Sequence, residues 1–198
     1  MPMLHAPEPH SRATRLFHAS LAAVIVVQLA TSQAMRPPEV GAAGDIWFTL
    51  HQYSGLAAAA LALGLWGVVA LRKRGTALGA LLPWTSAKRL KALGFDTMAH
   101  LRSILARHLP PHDPDSPLAA AVHGLGLVLM TAMAATGVLF YLLNWLGMIG
   151  RPATELVLSA HKLGANLVWA YLIGHAGLAL LQHVTRQMRL STMWSLRP

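Results

Sequence analysis

The sequence predicts an all-α integral membrane protein built as a four-helix bundle. Its 198 residues are 55% hydrophobic and only 12% charged, whereas a soluble domain has about 25% charged residues. Four runs lack Asp, Glu, Lys and Arg altogether: residues 16–35, 46–71, 116–150 and 163–185. Each run reaches or exceeds the ~20 residues that a helix needs to cross about 30 Å of hydrocarbon.

The first predicted helix covers residues 14–35 and ends before Pro37 and Pro38, which cannot continue a helix. A polar lead, residues 1–13, precedes it and is predicted to be disordered. The apolar run is longer than the ~7–15 residues of a signal peptide, and no small-residue cleavage pattern follows it. We therefore expect the first helix to be retained in the membrane.

The other three helices begin at recognisable start signals. The second covers 45–71, with Asp45 as its N-cap. The third covers 117–146, with Ser116 as the cap and Pro117 at the first helical position. The fourth covers 153–187, and Glu155 suits the positive end of its dipole. We expect residues 1–198 to form a single membrane domain.

The net charge of +9 is distributed unevenly along the chain. Only Arg36, Arg151 and Lys162 fall on one side of the predicted membrane, and the other basic residues fall on the opposite side. Those are Arg12, Arg15, Arg72, Lys73, Arg74, Lys88, Arg89, Lys91, Arg102, Arg107, Arg186, Arg189 and Arg197. The positive-inside rule places both termini of this multi-pass membrane protein in the cytoplasm. Basic residues beside apolar runs indicate membrane lipid, not nucleic acid, as the partner.

A long basic segment, residues 72–115, connects the second and third helices on the cytoplasmic side. Apolar residues recur in it at roughly helical spacing among lysines and arginines. This pattern predicts one or two amphipathic helices that lie on the anionic leaflet or against the bundle. The alternative is a partly ordered basic loop that contacts a cytoplasmic partner.

The chain contains no cysteine. This excludes disulfides, iron–sulfur clusters, thiolate ligands and covalent haem attachment through a Cys-x-x-Cys-His motif. Any haem would be held non-covalently, as a b-type cofactor.

Histidines interrupt or border the apolar runs. These are His18, His51, His123, His161 and His175. A titratable side chain is costly in hydrocarbon, so it normally faces a bundle interior and marks a function. Because imidazole is a common axial ligand of haem iron, the histidines indicate a haem protein.

The fourth helix carries the clearest geometric signal. His161 and His175 are 14 residues apart, which places them about 40° short of four full turns and about 21 Å apart on one helix face. Topology places His51 at the outer surface with His161. The inner partner of His175 stays open among His18, His183 and His123, because spacing alone does not choose.

A transition-metal transporter is the rival function from a different class. Nine methionines and 11 histidines favour it. The apolar runs contain no carboxylate that could couple ion movement, which argues against it.

Several motifs together resemble one known family. They are Arg15-Leu16-Phe17-His18 at the start of the first helix, His51 with Gly55, His123 with Gly137, and His161 followed by His175 and His183. Over residues 11–198 the chain resembles the bacterial cytochrome b561 family, whose members are dihaem four-helix membrane cytochromes. This family is related to the cytochrome b subunits of nickel–iron hydrogenases and formate dehydrogenases. The resemblance implies that His18 and His175 bind one haem iron, and that His51 and His161 bind the other.

The resemblance also implies a function. We expect a cytochrome with two b haems that carries electrons across the membrane to or from the quinone pool, with ubiquinone as substrate. One version is a superoxide:ubiquinone oxidoreductase, and another is the membrane subunit of a hydrogenase or dehydrogenase complex with its own electron-donor protein. Arg12, Arg15 and Lys162 are candidate contacts for haem propionates or other anions. His123 and His183 are candidates for a supporting position or a quinone site, and no residue is predicted to act in acid–base or nucleophilic catalysis.

Overall fold

The computed structural model describes residues 11–73, 75–110, 113, 115–188 and 190. Within these ranges the chain forms helices and turns, without a β-strand. The long helices are α1 (Arg12–Ala34), α2 (Ile46–Leu71), α5 (Pro117–Trp145) and α6 (Pro152–Val184). Each of these is long and apolar enough to cross a membrane. The predicted all-α fold with four membrane-spanning helices is confirmed.

The start of α1 lies two residues before the predicted one. The Ser11 side chain accepts a hydrogen bond from the backbone N–H of Thr14 at 3.1 Å, and this cap lets the helix begin at Arg12. Residues 11–13 therefore do not belong to a disordered lead. The rest of the predicted lead, residues 1–10, lies outside the described residues.

Capping also explains the starts of α2 and α5. Asp45 accepts from the backbone N–H of Phe48 at 2.8 Å, and Ser116 accepts from that of Ala119 at 3.1 Å, as the sequence predicts. At the other end of the chain, α6 stops at Val184 and not at 187. It stops there because Arg186 adopts a positive φ of 60°, which ends the helical hydrogen-bond pattern.

The helices pack in the order α1, α2, α5, α6 around the bundle. A core of Leu21, Leu29, Ala58, Met130 and Val168 lies where all four helices meet. The outward side chains are also apolar, and Ile46, Leu63 and Ile173 are mostly exposed. An apolar outer surface on a bundle with an apolar core is what lipid requires.

The segment between α2 and α5 folds into short elements. It contains α3 (Leu78–Leu81), a 3-10 turn (Pro83–Thr85) and the longer helix α4 (Ala87–Leu105). The backbone of Leu81 packs against Gly124 of α5 so closely that a Cβ at Gly124 would overlap it. Residues 74, 111, 112 and 114 of this segment lie outside the described residues.

Candidate cofactor site

The four histidines predicted to bind haem lie close together as two pairs. The ring centroids of His51 and His161 are 6.3 Å apart, and those of His18 and His175 are 6.4 Å apart. All four rings are half-buried. We call His51 and His161 the outer pair, and His18 and His175 the inner pair, after the predicted orientation.

The two pairs are stacked along α6. This helix is continuous through both of its histidines, so their spacing of 14 residues corresponds to a rise of about 21 Å. One pair therefore lies toward each end of the bundle.

Both separations fit a metal held between two imidazoles. A metal–imidazole bond is about 2 Å long, and the ring centroid lies about 1 Å behind the coordinating nitrogen. Two such ligands on opposite sides of one ion place their centroids about 6 Å apart. Two neutral imidazoles are also the donor set of a bis-histidine haem, whose remaining ligands come from the porphyrin.

A threonine hydroxyl contacts each imidazole of the outer pair. Nδ1 of His51 lies 3.0 Å from Oγ1 of Thr31 in α1. Nδ1 of His161 lies 2.8 Å from Oγ1 of Thr136 in α5. Neighbouring helices thus hold both rings from behind.

The hydroxyl protons determine the direction of these two hydrogen bonds. Thr31 Oγ1 donates to the carbonyl of Val27 at 2.8 Å, and Thr136 Oγ1 donates to that of Ala132 at 2.9 Å. A hydroxyl has one proton, so each threonine oxygen accepts the Nδ1–H of its histidine. The proton on Nδ1 leaves the Nε2 lone pair of each ring available to a metal.

Gln28 of α1 supports the backbone at His51. Its Nε2 donates to the carbonyl of His51 at 2.7 Å and to Oγ of Ser54 at 2.6 Å. Gly55 of α2 leaves room for the Gln28 side chain, since a Cβ at this position would lie 3.2 Å from the Gln28 amide oxygen. Both contacts fix the position of α2 relative to α1 at the height of the outer pair.

Gly137 of α5 borders the outer pair on its other side. A Cβ at this position would lie 3.3 Å from Cε1 of His161. The absence of a side chain therefore leaves space for the imidazole ring, and any larger residue would press on it.

The inner pair has a different environment, made of other rings. The ring of Tyr171 is stacked on His175 at 5.3 Å with an angle of 9° between the planes. The ring of His123 lies 5.4 Å from His175. The hydroxyl of Tyr171 occupies the space that a Cβ at Gly126 would need.

Ring distances favour His18 among the three candidate partners of His175. The separation from His18 matches that of the outer pair within 0.1 Å, the difference between 6.4 and 6.3 Å. The ring centroid of His123 lies 5.4 Å from that of His175, which is closer than the ~6 Å expected for two imidazole ligands of one metal. His123 is also exposed. His183 lies in the last turn of α6, where its Nδ1 is 3.4 Å from the carbonyl of Met188.

The predicted basic contacts differ in their exposure. Arg15, three residues before His18, is only 3% exposed, whereas Arg12 and Lys162 are exposed. Lys162 follows His161 directly and points about 100° away from it around α6.

An open, largely apolar cleft lies between the inner ends of α1 and α2. Its volume is about 620 Å³. It is lined by Ser11, Ala13, Gly67, Val68, Leu71, Arg72 and Lys73. Burial lowers the pKa of Arg72, which lies just beyond the end of α2.

Within the described ranges, no three His, Asp or Glu side chains form a group that could hold a bare metal ion. The four histidines predicted to bind haem instead form two pairs, with His123 beside the inner pair. A pair of imidazoles suits a cofactor that supplies most of its own ligands.

Sequence reasoning missed the residues that hold the histidines. Thr31, Thr136 and Gln28 come from other helices, and no local motif links them to the histidines that they contact. Tyr171 could have been found, because it lies four residues before His175 and therefore on the same face of α6.

The sequence was also compared with known families and proteins. A family model described as prokaryotic cytochrome b561 matches residues 9–196, which is nearly the whole chain. No curated protein and no solved structure matches.

Proposed function

The chain belongs to the prokaryotic cytochrome b561 family, and from this premise we propose that it holds two b haems and carries electrons across the bacterial inner membrane. The family makes it a multi-pass membrane cytochrome of the b type that acts in electron transfer. The observation that carries the dihaem proposal is the equal separation of the two histidine pairs, at 6.3 and 6.4 Å.

In this proposal His51 and His161 would hold the haem iron at the outer site, and His18 and His175 would hold it at the inner site. Each bound haem would supply a reversible one-electron redox centre. The protein supplies the binding and orientation: Thr31 and Thr136 keep the protons on Nδ1 at the outer site. A haem held by two histidines would serve electron transfer rather than oxygen binding.

Arg15 is the best placed of the basic residues to neutralise a propionate, because it is buried one turn before His18. Its role would be to hold a carboxylate at the inner site. Arg12 and Lys162 are exposed and would act as peripheral charges.

We assign quinone binding to the cleft at the inner ends of α1 and α2. Its walls are largely apolar, as a quinone ring and isoprenoid tail require, and Arg72 and Lys73 lie at its edge. Gly67 allows a direct test, because a Cβ there meets no atom within 4 Å. Gly67→Leu should fill the cleft without displacing a neighbour and raise KM for a soluble ubiquinone analogue about tenfold.

The matched control is Gly177→Leu, on an exposed part of α6 where a Cβ also meets no atom within 4 Å. This variant should leave KM unchanged. Equal KM values for both variants and the unmodified protein would exclude the cleft as the quinone site.

Superoxide is the electron donor that the outer surface favours. The exposed Lys162 directly follows His161, and a positive charge there would attract a small anion. Each superoxide would give up one electron and leave as dioxygen; two such electrons and two protons would convert ubiquinone into ubiquinol. Lys162→Gln should slow superoxide-driven haem reduction and weaken its dependence on ionic strength, whereas Arg12→Gln at the other end should not.

A reduced-minus-oxidised optical spectrum with pyridine haemochrome quantification tests the main proposal. We expect a b-type α-band and two haems per chain in the purified full-length protein. One haem per chain, or the absence of the α-band, would contradict it.

A further inference from the structure

Helix α4 is the one long helix in the described part of the chain that contributes nothing to the core. None of the residues of Ala87–Leu105 is buried. It nevertheless carries a row of apolar side chains, which we call the apolar face. They are Leu90, Met98, Leu101 and Leu105, which are 52%, 47%, 46% and 74% exposed.

The side chains of α4 are sorted by direction. At about 100° per residue, the apolar face spans a sector of about 80°. Lys88, Lys91 and Arg102 are all exposed and occupy the adjoining sector, about 100–160° from Leu90; we call them the basic face. The exposed Phe95 also lies in this sector, with the Lys91 ammonium 5.8 Å from its ring centroid. The helix thus presents an apolar strip beside a strip that combines the cations with one aromatic ring.

The third sector of α4 fixes the helix to the bundle. Oδ2 of Asp96 accepts hydrogen bonds from Oγ of Ser116 at 2.6 Å and from the backbone N–H of Leu118 at 2.9 Å. On the same side, Nδ1 of His100 lies 3.2 Å from Oδ1 of Asp96. Since Asp96 is the only acidic residue of α4, the apolar and basic faces carry no negative charge.

These bonds also set the height of α4 relative to the membrane. Ser116 caps α5 at the point where its apolar run begins, so the middle of α4 lies level with the membrane surface. Leu81, just before α4 in the chain, packs against Gly124, eight residues or about 12 Å farther along α5. The chain therefore approaches α4 from the depth of the hydrocarbon, through a segment that contains the half-exposed Trp84.

We propose that α4 is an interfacial helix that binds anionic phospholipids of the leaflet next to it. Its apolar face enters the layer beneath the headgroups, and its basic face pairs with phosphate and other anionic headgroup oxygens. Charge complementarity selects this occupant, because the exposed faces combine apolar side chains with cations alone. The proposal does not depend on the haems.

The chain has no cysteine, so single introduced cysteines can report the depth of α4. Full-length protein with Leu101→Cys or Lys91→Cys would carry a nitroxide label in nanodiscs of phosphatidylcholine with some phosphatidylglycerol. Electron paramagnetic resonance should find the label at 101 relaxed mainly by oxygen, which concentrates in hydrocarbon, and the label at 91 mainly by a water-soluble nickel chelate. Equal access of the chelate to both labels would overturn the proposal.

A charge variant tests the choice of lipid. Replacing Lys88, Lys91 and Arg102 by Gln should lower the preference for retained phosphatidylglycerol over phosphatidylcholine by on the order of 100-fold. Arg151→Gln, which removes an exposed charge at the other end of the bundle, should leave the preference unchanged. An unaltered preference in the triple variant would overturn lipid binding. Immobilisation of the spin label that increases with protein concentration would also overturn it, because it would indicate that a second copy of the chain covers α4.

Discussion

The outer and inner histidine pairs have nearly the same ring separation, yet different interactions hold them. At the outer pair, hydroxyls of Thr31 and Thr136 each bind the back of one imidazole. At the inner pair, the ring of His175 is packed between His18, His123 and Tyr171. Directional hydrogen bonds therefore help to orient the outer rings, and ring packing helps to orient His175 at the inner site.

This difference has chemical consequences. A hydrogen bond from Nδ1–H raises the basicity of the imidazole and fixes its rotation. Ring stacking restrains rotation but transfers little charge. We expect the two sites to respond differently to substitutions around the ligands, although substitutions of the ligands themselves should have parallel effects.

The largest expected effect removes one site and leaves the other. His161→Ala should abolish the outer haem and His175→Ala the inner haem, so each variant should contain one haem per chain by pyridine haemochrome analysis. The haem that remains in His161→Ala and the haem that remains in His175→Ala should differ in reduction potential, since their surroundings differ. His183→Ala is the control and should retain both haems; loss of both haems, or of neither, in a ligand variant would refute the assignment.

The next effect should be confined to the outer site. Thr136→Val keeps the shape of the side chain but removes the acceptor for Nδ1–H of His161, and should weaken outer haem retention about tenfold. Thr136→Ser restores the hydroxyl and should restore both retention and the reduction potential. If Val and Ser behave alike in a redox titration, the hydroxyl does not orient the ligand.

A smaller effect should be confined to the inner site. Tyr171→Leu removes the ring stacked on His175 and should weaken inner haem retention about fivefold, which corresponds to about 1 kcal/mol for an aromatic pair. Tyr171→Phe keeps the ring and should retain the inner haem as the unmodified protein does. A shift of the outer potential in either variant would show that the two sites are not independent.

The smallest effect should leave both haems in place and alter stability alone. Burial would raise the pKa of the Asp96 carboxyl, but hydrogen bonds from Ser116 and Leu118, together with His100, hold it below its usual value. The stabilisation from these contacts is thus present above the unfolded pKa of about 3.9 and is lost as the pH falls through the lower folded pKa.

Asp96→Asn should therefore lower the free energy of unfolding by about 1 kcal/mol at neutral pH. The difference from the unmodified protein should shrink below about pH 4. Denaturant titrations in detergent at both pH values would measure it. A difference that is independent of pH would mean that the charge of Asp96 does not contribute.

The sequence predicted the membrane-spanning helices well because their signal is local. A charge-free run, a capping residue such as Asp45 or Ser116 and a proline at the helix start suffice to place α2 and α5. The start of α1 and the end of α6 were less accurate. The Ser11 side chain caps α1 two residues earlier than expected, and Arg186 ends α6 through a positive φ that composition does not reveal.

The histidine pairing was partly accessible for a similar reason. The spacing of His161 and His175 can be read from one helix, whereas the partner of His175 depends on how separate helices pack. The contacts from Thr31 and Thr136 depend wholly on that packing. Polar residues in apolar helices could be noticed in the sequence, but the side chains that they contact could not be assigned.

One helix supplies a ligand to both proposed sites, and this has a consequence for biogenesis. The other two predicted ligands, His18 and His51, lie on α1 and α2, which precede α6 in the chain. In the proposed arrangement, neither histidine pair would be complete before α6 has left the ribosome and entered the bilayer. Stable haem binding would therefore be a late step of assembly, and a chain truncated before α6 would keep only one histidine of each pair.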